Sequence, residues 1–240
     1  SPPLRSGFCP SLVTPAKTVT TPPHDDLRFQ HTERAMNSKT NPIHFVLLVT
    51  LAAAFAWSGY RPRDRFTWTL EVVPAIIGLA VLLYTYPKFQ FTTLVYVLVW
   101  IHCAVLMVGG KYTYGENPLF EYLKEIFGWT RNNYDKLGHV MQGVSPALIC
   151  RELFTRRDVV NGRRWIFFLS VAVPLAFAGL YEIFEWLMAV INGEKAEAFL
   201  GTQGYFWDTQ TDLFFCMIAS IFTLLLFAGL HDRQIENIPQ

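Results

Sequence analysis

The residues able to do chemistry in this chain fall into three pairs at helical spacing. Asp135 and His139 are four apart, Glu182 and Glu185 three apart, and Asp208 and Asp212 four apart, so each pair shares one face of a helix. Gln142 continues the face of Asp135 and His139 a turn later. Carboxylates with an imidazole supply the oxygen and nitrogen donors of a divalent-metal site, here Asp135, His139, Glu182 and Asp208. Such a metal polarises a phosphoryl or carbonyl oxygen, or lowers the pKa of a bound water. Without a metal, crowded carboxylates drive one of their number toward its protonated form, giving a general acid beside a general base. Either arrangement suits hydrolysis or group transfer on a lipid-linked substrate. Arg131, Lys136 and Lys111 can receive its phosphate. Tyr114, Gln203 and Gln210 are the polar residues of the same region that can bind the rest of it.

Two other uses of the same residues stand beside catalysis. A polar cluster can simply hold a bundle together. Asp135 and Asp208 sit where helix N-caps would, and Glu182 or Glu185 can pair with Lys136 or His139. The same carboxylates can also pass protons or ions. His102, alone in the middle of an apolar run, reads as a packing histidine satisfied by a neighbour; His44 and His231 read as bland residues at the ends of their runs.

Membrane helices are the elements that must position these groups. Of 240 residues, 52% are hydrophobic and only 16% charged, against about 25% charged in a soluble domain. The 20 Phe, 7 Trp and 10 Tyr suit a bilayer interface as well as a core. A net charge of +1 without a basic block excludes nucleic acid as the partner and leaves membrane lipids. Cys9 stands apart, and Cys103, Cys150 and Cys216 fall in separate apolar runs with no CxxC, so neither a zinc knuckle nor a disulfide framework is indicated.

Six apolar runs follow one another, at 42–58, 67–86, 92–110, 134–153, 164–190 and 209–230. A bilayer core about 30 Å thick takes about 20 helical residues, so the expected fold is all-α, a polytopic bundle of six transmembrane helices over 36–240. Pro74, Pro146 and Pro174 lie inside runs, which membrane helices tolerate. Between Asn117 and Trp129, Leu119, Phe120, Leu123, Ile126 and Phe127 recur at helical spacing among Glu121, Lys124 and Glu125. That pattern predicts a short amphipathic helix lying along the interface. Trp129, Trp186 and Trp207 read as aromatic-belt anchors. Residues 1–35, rich in Pro, Ser and Thr, predict a disordered leader, with Met36 as the expected start of the native chain.

Arg151, Arg156, Arg157, Arg163 and Arg164 make the densest basic cluster in a short loop. The positive-inside rule puts that loop and both termini in the cytoplasm; Arg61, Arg63 and Arg65 in the first loop pull the other way. With six spans, the starts of the second, fourth and sixth and the ends of the third and fifth reach one leaflet, away from the cytoplasm. Glu71, Lys111, Tyr114 and the three pairs therefore converge there. Absent motifs narrow the enzyme classes. The chain has no GxxxxGK[ST] loop and no HExxH, and Gly143-Val144-Ser145-Pro146 breaks the GxSxG elbow. The histidine sets of desaturases and the acidic run of CDP-alcohol transferases are missing too.

Several stretches in fixed order resemble a known family: Trp57-Ser58-Gly59, Arg65 through Val72, Gly109 through Tyr114, Arg131 through His139, Arg151-Glu152, Tyr181 through Trp186, Leu200 through Gln210 and Leu230 through Arg233. Over residues 42–233 the chain is similar to the YjdF-like family of bacterial inner-membrane proteins. The resemblance implies a multi-pass protein of the bacterial inner membrane and assigns no residue roles. A weaker likeness is to VanZ-like membrane proteins, through Asp135-Lys136-Leu137-Gly138-His139, Glu182 and Asp208 with Asp212. Glu185 and Ala219-Ser220 depart from that pattern, and the likeness implies only a shared bundle with one polar pocket.

Overall fold

The structure is a computed structural model and describes residues 41–193 and 197–238. The expected disorder of 1–35 and the start at Met36 lie outside the described residues. Among the described residues the chain is helical, with no strand. The long helices are α1 (Pro42–Gly59), α2 (Arg65–Thr85), α3 (Thr93–Tyr112), α5 (Tyr134–Arg156), α6 (Arg163–Asn192) and α8 (Asp208–Glu236). Between them lie the short α4 (Pro118–Phe127), a one-turn helix at Tyr114–Glu116 and α7 (Glu197–Leu200).

Local chemistry sets the starts. Asn41, Asp64, Thr92 and Asn117 each turn a side-chain oxygen onto a free amide of the first turn of α1, α2, α3 and α4. Pro42 and Pro118 stand just inside two of these helices, where their missing N–H costs nothing. Gly128 closes α4 in the left-handed conformation, at φ 65°.

Five helices, α1, α2, α3, α6 and α8, are long and apolar enough to cross a membrane. Their outward faces stay apolar: Ile77, Phe177 and Leu226 are exposed, the last by 73%, and such surfaces need lipid around them. The fourth expected run forms α5, 23 residues long, but it is too polar to meet the same test. Its buried face runs from Tyr134 to Glu152. The last expected run extends beyond 230, because His231 and the residues after it continue the helix to Glu236.

Helices α3 and α5 form the central pair, with α1 and α2 against α3, and α6 and α8 against α5. The α5–α8 approach depends on Gly143. A Cβ there would strike the carbonyl oxygen of Cys216 and come 2.9 Å from the Ala219 Cβ. Ser220 Oγ donates across the same seam to the Gly143 carbonyl at 3.2 Å, the small-residue packing that lets membrane helices close on each other. The α4 helix is present where its pattern predicts it. Its Leu119, Tyr122, Ile126 and Phe127 face outward, all more than half exposed.

Gly143→Val must push α8 backbone away. It is expected to destabilise the protein by at least about 1–3 kcal/mol, read as a lower midpoint of thermal unfolding in detergent. Gly229→Ala, which meets nothing within 4 Å, is the control and should leave the midpoint unchanged or higher.

Candidate functional site

The loop before α5 delivers Arg131 to the centre of one end of the bundle. Its Nη1 donates to Asp208 Oδ1 at 2.5 Å, and its Nη2 pairs with Asp135 and donates to the Gly201 carbonyl at 3.2 Å. Lys136 Nζ donates to Asp208 Oδ1 at 2.9 Å and Asp212 Oδ1 at 2.7 Å, and lies 3.4 Å from Asp135 Oδ2. Three aspartates thus share two basic side chains, all five nearly closed to solvent. Burial alone would lower the Arg131 pKa, but the Asp135 and Asp208 carboxylates outweigh it and hold the guanidinium above its ordinary range. The Tyr205 ring covers both cations, 5.2 Å from the Arg131 guanidinium carbon and 5.7 Å from Lys136 Nζ.

Asp212 joins this ion cluster to a second group. His139 Nε2 lies 3.8 Å from Asp212 Oδ1 and 3.3 Å from Glu182 Oε1. Thr209 Oγ1 donates to the other Glu182 oxygen at 2.8 Å. Glu182 Oε1, His139 Nδ1 and Gln142 Oε1 are buried without a hydrogen-bond partner. The two halves therefore differ in degree: in the ion cluster Arg131 Nε lacks a partner, while the His139 half leaves three such atoms.

Behind His139 lies a small cavity of about 10 Å³, lined also by Glu71, Tyr114, Tyr181 and Glu185, with room for about one water. Glu71 accepts from Tyr181 at 3.3 Å and from Tyr114. The Tyr114 ring fits between Gly109 and Gly138, where a Cβ on either would press into it. Burial, with the Glu71 charge beside it, pushes the Tyr114 phenol well above its ordinary value, so it remains a donor. On the other side of α5 an open groove of about 590 Å³ is lined by Arg131 and Lys136 among Phe120, Trp129, Leu137 and Phe215. Lys136 lines the groove and bonds Asp212, which lines the cavity.

Two sets of three donors approach metal-ligand spacing, His139 with Glu182 and Asp212, and Asp135 with Asp208 and Asp212. The second is already occupied by the Arg131 and Lys136 donors. The expected set of Asp135, His139, Glu182 and Asp208 is thus divided between the two, and Asp212 belongs to both.

The other expected residues separate. Arg131 and Lys136 turn their donors onto the aspartates. Gln203 ties down the loop before α5, accepting from Asn132 N at 2.9 Å and donating to Asn132 O at 2.8 Å. Lys111 stands apart, donating to the Trp57 and Tyr60 carbonyls at 3.2 and 2.8 Å and closing the end of α1. Gln210 faces outward on α8. Asp135 and Asp208 are not N-caps, since those positions are Asn133 and Trp207; both aspartates lie in the first turn, drawn to the cations. Trp129, Trp186 and Trp207 are exposed at this end. His102 is satisfied by Ser145 Oγ at 2.8 Å.

His231 corrects its expectation. It is fully buried at the opposite end of the bundle, with Nε2 2.9 Å from Glu152 Oε2. Glu152 also accepts from Thr92 N and Oγ1 and from Arg156. Only Glu152 and Arg156 share helical spacing; Thr92 and His231 come from other helices, so spacing could not reveal the network. Glu71 had a signal, a lone carboxylate in an apolar run, but without a second member at helical spacing it drew no role.

Comparison with known proteins places the chain. Residues 43–233 match the family model described as "Predicted membrane protein (DUF2238)", and the chain belongs to this family. It is similar to the inner membrane protein YjdF of Escherichia coli (strain K12), 42% identical over 189 residues, covering 79% of this chain and 90% of that protein. No solved structure matches the chain.

Arg131→Met strands Asp135 and Asp208 as buried, less compensated charges. The expected loss is about 3–5 kcal/mol, read as a large fall in the thermal midpoint of the detergent-solubilised protein. Glu182→Gln, which keeps the Thr209 contact and removes a charge without a firm partner, should lower the midpoint far less.

Proposed function

We propose that this member of the DUF2238 family is a bacterial inner-membrane protein whose His139–Glu182–Asp212 group acts on an envelope lipid or lipid-linked substrate. In this reading α5 joins the five apolar helices as a sixth span, α4 lies along the interface, both termini are cytoplasmic and the site faces the non-cytoplasmic leaflet. The location follows the E. coli relative, and the orientation follows the Arg151–Arg164 cluster at the opposite end.

The observation that carries the chemistry is the unpartnered buried Glu182 Oε1 facing the His139 imidazole, beside an ion cluster that is nearly complete. Unpaired buried polar atoms are costly; the ion cluster has one, Arg131 Nε, but Glu182 Oε1 differs in facing an imidazole that can use it. The imidazole at 3.3 Å from Glu182 and 3.8 Å from Asp212 can take a proton from a water or a substrate hydroxyl, with the carboxylates stabilising the cation that forms. The groove across α5, linked to Asp212 through Lys136, supplies the substrate chemistry. Its apolar walls suit hydrocarbon, and Arg131 and Lys136 suit a phosphate if it displaces part of their aspartate pairing. Phe91, Val95, Ala147, Leu148 and Leu224 form an apolar cluster that supports a site closed toward the opposite end over an ion path through the bundle.

One observation favours a second use, as bundle glue alone: Arg131 ties Asp135, Asp208 and the Gly201 carbonyl together. Turnover separates the two. Purified protein is incubated in nanodiscs of envelope-lipid extract, and the lipids are profiled by mass spectrometry. The wild type should convert one lipid class. His139→Ala and Glu182→Gln should cut that conversion by about 10²-fold or more while remaining monodisperse. No conversion by the wild type, or unchanged conversion by both variants, supports glue.

A further inference from the structure

We infer that His139, Glu182 and Asp212 form a binding site for a divalent first-row transition metal ion. The inference shares its residues with the reaction proposed above, but it concerns occupancy and does not require that any lipid be turned over.

Spacing is the first ground. Ligands about 2.0–2.2 Å from a tetrahedral ion sit about 3.3–3.6 Å from one another. His139 Nε2 is 3.3 Å from Glu182 Oε1 and 3.8 Å from Asp212 Oδ1, and the three donors lie within 4.8 Å of each other. One imidazole and two carboxylates leave a fourth position open, as in catalytic rather than purely structural sites.

Unsatisfied chemistry is the second, independent ground. Glu182 is only 9% exposed, and its Oε1 has no hydrogen-bond partner although it faces the imidazole. The carboxylate donors are also held in place. Thr209 does this for Glu182, through its other oxygen at 2.8 Å, while Lys136 holds Asp212 through Oδ1 itself at 2.7 Å, an oxygen that the ion shares with the ammonium group. A histidine binding metal through Nε2 carries its proton on Nδ1, which then needs an acceptor. Gln142 Oε1, one turn on, is an unpartnered acceptor lining the same cavity as His139.

Charge is the third ground. Asp135, Asp208, Asp212 and Glu182 are four carboxylates around two basic side chains, Arg131 and Lys136. Buried charges need partners or a metal, and a divalent ion supplies positive charge that the two basic side chains alone do not. It belongs on the His139 side, since the Asp135–Asp208 side is filled by the guanidinium and ammonium groups.

The test uses the full chain in detergent, stripped with chelator, reloaded with Zn²⁺ alone, desalted and measured for metal by mass spectrometry. The wild type should retain about one ion per chain, and His139→Ala and Glu182→Gln should lose it. Gln142→Leu should weaken binding about 10–100-fold, as expected for the partner behind a ligand. Size-exclusion profiles report whether each variant folds. X-ray absorption on the loaded wild type keeps the test decisive if a variant does not fold, since it should give nitrogen and oxygen neighbours with the scattering pattern of an imidazole. A wild type without metal, folded variants that keep it, or a spectrum without imidazole would overturn the inference. Metal bound with no lipid converted upholds this site and sinks the reaction; conversion by a protein that takes up no metal on reloading does the reverse.

Discussion

Removing carboxylates from water is the constraint on which this end of the bundle depends. A carboxylate buried in a helical bundle surrounded by hydrocarbon loses its hydration, and the loss is tolerable only if a cation or several donors replace it. Arg131 does this for two aspartates at once, from a loop and not from a helix, so the loop must come inward. The consequences spread outward. Gln203 holds that loop through Asn132, the Gly201 carbonyl joins the guanidinium, and α5 and α8 must start side by side for Asp135 and Asp208 to meet one cation. Gly143 and Ser220 then let the same two helices close along their length. At the opposite end Glu152 solves the same problem with backbone, hydroxyl, histidine and arginine donors. The bundle is fastened by buried charge at both ends, with apolar packing between.

That fastening explains why the remaining polar atoms carry information. Asp212 belongs to the ion cluster through Lys136 and also borders His139 and Glu182. A rigid, nearly complete ion network beside a few incompletely satisfied groups is the arrangement by which proteins hold reactive side chains in place. The groove lined by Arg131 and Lys136 lies on the other side of the same helix, so one element connects a surface suited to an amphiphile with an interior suited to proton or metal chemistry.

Much of this was legible in the sequence, for particular reasons. Apolar runs of bilayer length predicted the long helices, and the pairs at Asp135/His139, Glu182/Glu185 and Asp208/Asp212 converge because alternate helix ends must meet at one face. The pattern at 117–129 gave α4 directly. Other features lacked a local signal. Arg131 and Lys136 looked free to take a phosphate, and only the fold reveals that three aspartates claim them. Lys111 sits beside the site in sequence order but points to the end of α1. Glu152 and His231 are 79 residues apart, and no periodicity links residues on different helices. Spacing reports which residues share a face; it does not report which faces turn toward each other.

The central claim is that the cluster divides into a half that fastens the bundle and a half that does not. Two double-mutant cycles on the thermal stability of chelator-stripped protein in detergent test this most directly, Arg131→Met with Asp208→Asn and His139→Ala with Glu182→Gln. The account predicts coupling near the upper end of about 0.5–3 kcal/mol for the first pair and close to zero for the second. Equal coupling in the two cycles would contradict it, because His139 and Glu182 would then be part of the same fastening.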